Sequence, residues 1–325
     1  MLTFSTGEDI KQPKGGVILD DVDEKDHILG GLLSGEEWEV LVKDGQWMNY
    51  IPDYELQRNR FGDLFGCVSF SLNNVHEMIL KKRYDETVNK SDLFLMKISG
   101  TIQGQGNSVR AVAESNRLKG WVTEGRYPYT SEMTVSEAYR ELTNDLLMEG
   151  KKGLDLYTFR WKWLNDNSTK SLKEGLTFSP IQVTILGSYL ENKKGYIIFD
   201  RNHPEYTHEV CIFGYEDGEC WYVYDSENEQ YLKFAWNYAF RSPAIHSVTK
   251  NMKIEIYKKK GQSGLAVKTY GEPSMIFFSG GDITAQTLFF SIYGVTDWKQ
   301  IPIKEVNEFP FPPKHIFNSN PYKNQ

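Results

Sequence analysis

One apolar stretch, residues 65–72, which leads to three cations at positions 81–83, most constrains how this chain can fold. Apolar side chains recur there at helical spacing, at positions 68, 72, 75 and 79. This spacing predicts a helix with one buried face. Gly66 can turn the chain just before the helix, which makes Cys67 its first residue. Because the free amides and the dipole at a helix N-terminus favour a thiolate, the stretch predicts a cysteine nucleophile at the start of a buried helix.

The composition describes an ordinary globular protein. The 325 residues are 40% hydrophobic and 25% charged, enough for one large domain or for a domain with an appendage. A net charge of -7 argues against a nucleic-acid-binding surface. No stretch has the length of apolar sequence that crosses a bilayer, and the first residues show no signal-peptide pattern. We therefore expect a cytoplasmic protein, or a virion protein if its source is viral, with neither nucleic-acid nor membrane partners.

The three cysteines are expected to be separate thiols. Cys67, Cys211 and Cys220 form an odd, sparse set, which does not build a disulfide framework. Their spacing contains neither a CxxC pair nor a nearby pair of histidines, so it predicts no metal site and no cofactor. Cys211 and Cys220 lie inside apolar runs and are interpreted as core residues. Cys67 remains as the candidate nucleophile.

Patterns along the chain predict helices first and strands later. Ser108 can cap a helix over about 109–119, and Thr134 opens a capping box for a helix that Gly150 ends. Later runs predict four strands, the last two of which form a hairpin, at 181–185, 196–199, 209–213 and 220–224. The run at 181–185 alternates between apolar and polar residues, which predicts a strand that is buried on one face. An earlier tract at 38–42 also has strand character. This order indicates an α+β fold of two lobes with a cleft at their junction.

The pattern changes again toward the C-terminus. We expect residues 1–250 to form the main domain, with 1–56 as an N-terminal extension, and 251–325 to form a small C-terminal accessory module. Within that module the patterns predict two strands and a short helix, at 253–260, 274–278 and 284–293.

A thiolate nucleophile needs a base, usually histidine, and a third group that orients the imidazole. Of the six histidines, His208 opens one strand of the predicted hairpin, and Asp225 follows the other strand, so the two lie close together. Cys67, His208 and Asp225 therefore form a candidate triad. The spacing alone leaves an alternative open, since a single cysteine is often a small core residue and a histidine at a strand start is often structural.

Five segments, in the same order over about residues 50–240, resemble those of the papain-like cysteine proteases. The segment from Cys67 to Ser71 is similar to the Cys-Trp-Ala-Phe-Ser that opens the family's central helix. The segment from His208 to Tyr215 is similar to the family's His-Ala-Val strand with its later Gly-Tyr, and Asp225 stands where the family has Asn-Ser-Trp. Two similar segments remain: one comprises Gly106-Asn107-Ser108, the helix after it and Tyr127-Pro128-Tyr129, and the other is residues 179–185.

The resemblance implies a papain-like fold, with a helical lobe whose central helix starts at Cys67 and a β-sheet lobe that carries His208. It implies Cys67 as the nucleophile, His208 as the base and proton donor, and Asp225 as the orienting group in place of the family's asparagine. A carboxylate can hold the imidazolium in that position. Gln57, with the Cys67 backbone amide, is implied as the oxyanion hole.

The same resemblance implies that the region of Gly106 and Asn107 pairs with an extended substrate backbone. Several features depart from the family. Gln57 lies farther from the cysteine than the family's glutamine does, so residues 58–63 must loop out. The family's disulfide cysteine and the tryptophan after Asn-Ser are missing, and no inhibitory pro-helix is recognisable in residues 1–56. The chain resembles a distant, disulfide-free relative of a kind found in bacteria and their viruses.

The leading hypothesis is a cysteine endopeptidase that acts on a peptide or protein substrate. A second hypothesis keeps the triad but changes the substrate, as in amidases that cut peptidoglycan stems and in transglutaminase-like enzymes. A third is an inactive structural or binding protein of papain-like fold, for example in a virion, in which residues 251–325 dock a protein partner. These residues match nothing in the protease family.

Overall fold

The computed structural model describes residues 2–4, 10–11, 15–20, 38–199, 207–228, 231–251, 253–260, 265–270, 275–279, 303–307 and 315–318. The chain divides into two compact units, Met1–Thr249 and Lys250–Gln325. Helices and strands occur in the same order as the sequence predicts, with most helices in the first half of the chain and most strands in the second. The fold is therefore α+β, as expected.

Short polar residues set where the helices of the first unit begin. In the described part of this unit the α-helices are α1 Cys67–Tyr84, α2 Asp92–Ser99, α3 Val109–Lys119, α4 Val135–Ala138, α5 Asn144–Gly153 and α6 Thr169–Phe178. All but α1 start at a serine or threonine whose hydroxyl accepts a hydrogen bond from an amide in the first turn, at Ser91, Ser108, Thr134, Thr143 and Ser168. The predicted helix after Ser108 is confirmed.

The first unit contains one large sheet and one small hairpin. The strands of the large sheet are β3 Tyr157–Trp163, β4 Ile181–Leu186, β5 Tyr189–Glu191, β6 Ile197–Phe199, β7 Thr207–Glu216, β8 Cys220–Tyr224, β9 Leu232–Ala235 and β10 Arg241–Lys250. Their spatial order is β3-β10-β4-β7-β8-β9-β6-β5. Strands β7 and β8 pair as the predicted antiparallel hairpin. The small hairpin, β1 Arg58–Asn59 and β2 Gly62–Asp63, takes up the extra residues between Gln57 and Cys67, which loop out as expected.

Helix α1 lies at the centre of the first unit. It packs against β7, α2 and α3, and all of its residues from Cys67 to Leu80 are buried. The sequence predicts that one face of this helix is buried, whereas the structure buries all of its faces up to Leu80. The sheet covers one side of the helix, and the other helices cover the rest. The three cations at its C-terminal end suit the negative pole of the helix.

Three local predictions are wrong in detail. Residues 38–42 form no strand, because the amides of Leu41 and Val42 both donate to the Thr177 carbonyl near the end of α6. The helix that starts at Thr134 ends at Ala138 rather than at Gly150, because Thr143 is extended and caps a new helix. Strand β4 is buried on both faces rather than on one, since helices α1 and α6 both pack against it.

The second unit is built on its own sheet. Its described strands are β11 Lys253–Lys259, β12 Leu265–Tyr270, β13 Met275–Ser279, β14 Ile303–Val306 and β15 His315–Asn318, in the spatial order β14-β11-β12-β13-β15. The two predicted strands of this module are confirmed as β11 and β13, and the helix expected over 284–293 lies outside the described residues. No helix among the residues that the structure describes is long and apolar enough to cross a membrane.

Candidate active site

The N-terminus of α1 presents Cys67. The helix is capped by Gly66 without a side-chain hydrogen bond, and its first turn carries no acidic residue. The amide of a first helical residue has no partner within its own helix, so the Cys67 N–H is available to bind an anion. Phe65, two residues earlier, has a φ of 54°, an uncommon conformation for a residue with a side chain. This backbone turn places the thiol at the helix start.

His208 and Asp225 meet across the β7–β8 hairpin. His208 is the second residue of β7, and Asp225 follows the last residue of β8. The His208 Nε2 and Asp225 Oδ1 atoms are 2.7 Å apart, and both side chains are fully buried. The predicted proximity of these two residues is thus present in the structure.

The Asp225 carboxylate is held by three further donors. Oδ1 also accepts the Glu227 N–H at 2.9 Å, and Oδ2 accepts the Tyr189 hydroxyl at 2.7 Å and the Asn228 side-chain N–H at 2.6 Å. Several hydrogen bonds to a buried carboxylate favour its charged form. This arrangement holds the carboxylate in a fixed position against the ring of His208.

The Cys67 thiol is the second group that interacts with the imidazole. Burial lowers the pKa of His208, but the charges of Asp225 and Cys67, with side-chain hydrogen bonding to both, raise it to about 10. Asp225 occupies Nε2, and Nδ1 is buried without a hydrogen-bond partner among the described residues, which leaves it as the ring nitrogen available to the thiol. The structure thus brings the three predicted residues close enough to interact.

The other two cysteines are inert by comparison. Both are buried free thiols in the sheet, Cys211 in β7 and Cys220 in β8. Burial raises the pKa of Cys211 well above its ordinary value and that of Cys220 to about 11. Neither thiol ionises readily near neutral pH.

Gln57 is fully buried, and its amide group is engaged by neighbouring side chains. Its Nε2 donates to Asp63 Oδ1 at 3.0 Å and to Glu227 Oε1 at 2.5 Å, while its Oε1 accepts the Ser226 hydroxyl at 2.8 Å. Arg58 forms an ion pair with the same Glu227. Glu227 stands next to Asp225-Ser226, where the papain-like pattern has tryptophan. Glu227 therefore connects Gln57 and Arg58 to the loop that carries Asp225.

A segment of the N-terminal extension crosses the site; we call residues 15–20 the strap. Asn107 pairs with it on both sides, since its N–H donates to the Gly16 carbonyl at 3.0 Å and its carbonyl accepts the Ile18 N–H at 2.8 Å. The Thr207 hydroxyl donates to the Val17 carbonyl at 2.8 Å, and Asp20 accepts the Arg110 N–H at 2.9 Å. The region of Gly106 and Asn107, predicted to bind an extended backbone, thus holds one from this chain.

The strap lies directly over the thiol. A Cβ atom added to Gly16, whose φ is +134°, would be 2.9 Å from Cys67 Sγ. On the other side, a Cβ on Gly106 would be 1.8 Å from the Gly16 carbonyl oxygen. Two glycines therefore permit this close approach, and Cys67 is completely shielded from solvent.

Comparison with solved structures decides the fold class. The chain is similar to xylellain, a cysteine protease from Xylella fastidiosa, with a TM-score of 0.51 and 14% sequence identity, over 77% of this chain and 98% of that one. The chain has the papain-like fold. It is also similar to the clostridial cysteine protease Cwp84 after propeptide cleavage, with a TM-score of 0.50 and 14% identity, over 64% of this chain and 58% of that one. Comparisons with models of protein families and with curated proteins found no match.

Within the papain-like fold, several site residues escaped the sequence analysis. Tyr189 and Asn228 both hold the Asp225 carboxylate, and the strap covers the Cys67 thiol. Asn228 is three residues from Asp225, a spacing that could have been noticed in the sequence, whereas nothing in the sequence around Tyr189 indicates its contact. Among the described residues no group of three or more histidine, cysteine or acidic side chains could hold a metal ion.

Proposed function

We propose that the protein is a cysteine endopeptidase whose triad is Cys67, His208 and Asp225, within the unit Met1–Thr249. The observation that carries the proposal is the buried imidazole of His208, which contacts Asp225 at 2.7 Å and whose pKa the neighbouring Cys67 also raises. Proton affinity raised by two anionic neighbours is what a thiolate–imidazolium pair requires. The papain-like fold, shared with xylellain, supports the same reading.

In the proposed reaction the Cys67 thiolate attacks the carbonyl carbon of a peptide bond. A tetrahedral oxyanion forms, and its collapse breaks the C–N bond while the His208 imidazolium gives its proton to the leaving amine. The product is a thioester between Cys67 and the acyl half of the substrate. His208, now neutral, takes a proton from a water molecule that attacks the thioester, which breaks the C–S bond, frees the acid product and restores the thiolate–imidazolium pair. Asp225 orients the ring throughout.

The oxyanion is assigned first to the Cys67 backbone N–H at the start of α1. We propose Gln57 as the second donor, as the papain-like pattern implies. Both of its side-chain N–H groups donate hydrogen bonds to carboxylates, so one of them has to leave Asp63 or Glu227 when the oxyanion forms. While the strap covers the site, the hydrogen bonds of Gln57 to Ser226 and Glu227 hold the loop that carries Asp225.

The experiment that tests the function compares substrates. The full-length protein and its Gly16→Ala variant, which loosens the strap, are incubated with unfolded casein and separately with purified cell-wall sacculi. We expect new peptides from casein, generated by internal cuts, and no release of fragments from sacculi. Cleavage of sacculi alone would assign the same triad to an amidase. No product from either substrate would favour a binding protein of papain-like fold.

Asp225→Asn is expected to move the alkaline limit of activity to lower pH. The raised pKa of His208 means that the stabilising imidazolium is fully present below the unfolded value of about 6.5 and is lost as pH rises toward about 10. Asparagine keeps a hydrogen-bond acceptor but removes the charge, so the alkaline limb of kcat/KM should fall by about 1–3 pH units. The free energy of unfolding should also lose the part of its pH dependence that comes from the His208 imidazolium.

Tyr189→Phe provides the matched control for this change. It removes one hydroxyl that donates to the same carboxylate, at 2.7 Å, but leaves the negative charge in place. Its alkaline limb should therefore stay close to that of the unchanged protein. An Asp225→Asn profile that coincides with the Tyr189→Phe profile would remove Asp225 from the triad.

A further inference from the structure

The side chain of Gln57 lies between two carboxylates that are held in different ways. Its Nε2 donates to Asp63 Oδ1 at 3.0 Å and to Glu227 Oε1 at 2.5 Å. An amide nitrogen carries two hydrogens, so both are in use. Because the proposed reaction needs one of these N–H groups for the oxyanion, one carboxylate has to give up its hydrogen bond and the other can keep it.

The main chain of Gln57 is fixed on both sides. Its N–H donates to the Ser226 carbonyl at 2.9 Å, and its carbonyl accepts the Leu64 N–H at 3.2 Å. The side-chain Oε1 is fixed as well, since it accepts the Ser226 hydroxyl at 2.8 Å. A change of partner at Nε2 therefore requires no change in the main chain.

Glu227 is the more firmly held of the two acceptors. Its side chain is fully buried and forms an ion pair with Arg58, whose own side chain is only 20% exposed. The Glu227 N–H donates to Asp225 Oδ1 at 2.9 Å, which fixes the main chain at this position. Its hydrogen bond from Gln57 is also the shorter of the two, and short bonds to a charged acceptor are the strong ones.

Asp63 loses less than Glu227 when Gln57 withdraws. Its Oδ1 also accepts the Phe65 N–H at 2.7 Å, so this oxygen would keep a donor. Glu227 Oε1 would be left with no hydrogen-bond donor among the described residues. A buried acceptor without a donor is strongly unfavourable. The bond between Gln57 and Asp63 is therefore the one that opens.

We propose that Glu227 is the positioning residue of the oxyanion hole, and that Asp63 holds, while the strap covers the site, the N–H group that the oxyanion takes. The inference rests on the proposed peptidase function, in which Gln57 is the second oxyanion donor. When the oxyanion forms, one Gln57 N–H moves from Asp63 Oδ1 to the oxyanion, and the other stays on Glu227 Oε1. This exchange transfers no proton and involves only hydrogen bonds. Glu227 touches no reacting atom and acts through Gln57.

The charges around Gln57 give the two carboxylates opposite effects on the reaction. The Asp63 carboxylate repels an oxyanion that forms beside it, whereas the charge of Glu227 is offset by its ion pair with Arg58. Arg58 and Asp63 both belong to the β1–β2 hairpin, and Glu227 stands where the papain-like pattern has tryptophan. The extra residues before Cys67 and the glutamate thus supply each other's partners.

Two substitutions of the same kind test this difference. Glu227→Gln and Asp63→Asn each turn a carboxylate into an amide that keeps one acceptor oxygen. Both are made in the full-length protein that carries Gly16→Ala, and kcat and KM are measured on a peptide derived from a casein cut. Glu227→Gln should lower kcat about tenfold, since the hydrogen bond to a charged acceptor becomes one to a neutral acceptor. Asp63→Asn should raise kcat several-fold, because the neutral amide holds the N–H less strongly and does not repel the oxyanion.

Two further readouts separate positioning from structural damage. KM should change little in either variant, because the bond to the oxyanion exists only in the transition state. Iodoacetamide alkylates the Cys67 thiolate without forming an oxyanion, so the rate of labelling should be similar in Glu227→Gln and Asp63→Asn. A difference in labelling that parallels kcat would place the effect on the thiol and overturn the proposal.

Changes of kcat in the same direction would also overturn the proposal. Repulsion of the oxyanion alone raises kcat in both variants, and loss of local structure lowers it in both. If Glu227→Gln fails to fold, a kcat of Asp63→Asn that falls or stays unchanged still contradicts the assignment of Asp63. Hydrolysis without the opposite changes refutes the positioning role alone, whereas a Gly16→Ala protein that hydrolyses no peptide refutes the peptidase and this inference with it.

Discussion

Replacing Cys67 with alanine is expected to reduce peptide hydrolysis by a factor of about 10^4 or more, because loss of a nucleophile removes the whole covalent pathway. His208→Ala should have a loss of similar order, since residues that act as a unit are not additive. Hydrolysis is measured as kcat/KM on a peptide derived from a casein cut. Circular dichroism and the midpoint of thermal unfolding establish that each variant is folded.

Cys220→Ala is the matched control for the nucleophile. It removes a thiol that is equally shielded from solvent but whose pKa burial raises to about 11. Its kcat/KM should remain within about twofold of the unchanged protein, and iodoacetamide at neutral pH should label Cys67 in it as before. His208→Ala, in contrast, should slow that labelling. Hydrolysis that survives Cys67→Ala, or labelling of Cys67 that is indifferent to His208, would contradict the proposed triad.

The residues of the proposed triad could be named from the sequence because each stands at the end of a locally predictable element. Cys67 begins a helix and follows a glycine, while His208 and Asp225 mark the two strands of a hairpin. Helix α3 was predictable for the same reason, as Ser108 and Gly120 fix its ends through their own backbone and side-chain preferences. Local physical chemistry was sufficient in these cases.

The contacts that complete the site depend on residues far apart in the chain. Tyr189 reaches Asp225 from 36 positions away, and Thr207 reaches Val17 from 190 positions away. A single sequence carries no local signal for such pairs. The double glycine at positions 15 and 16 was visible, but it indicates only a flexible turn until the thiol beneath it is known. No inhibitory pro-helix is recognisable in residues 1–56, so nothing in the sequence indicated that residues 15–20 cover the thiol.

The strap occupies the site, but hydrogen bonds hold its carbonyl groups away from the position in which the Cys67 thiol could attack them. The carbonyl oxygen of Gly16 accepts the Asn107 N–H, and that of Val17 accepts the Thr207 hydroxyl. An oxyanion that formed on either carbonyl would have to leave these donors to reach the Cys67 N–H. The hydrogen bonds that fasten the strap thus also keep its carbonyls away from the reaction, and the uncovered state is the one in which we expect activity.

Gly16→Ala is expected to raise both the rate of Cys67 labelling and kcat/KM about tenfold or more. The added Cβ would be 2.9 Å from the thiol sulfur at a φ of +134°, so the strap can no longer lie flat. Gly15→Ala is the matched control, because Gly15 also has a positive φ but its added Cβ would meet only the Thr207 carbonyl, at 4.0 Å. Backbone strain of about 1–3 kcal/mol is common to both variants, so the excess effect at Gly16 measures the contact with the thiol. Equal rates for the two variants would show that the strap does not restrict access to Cys67.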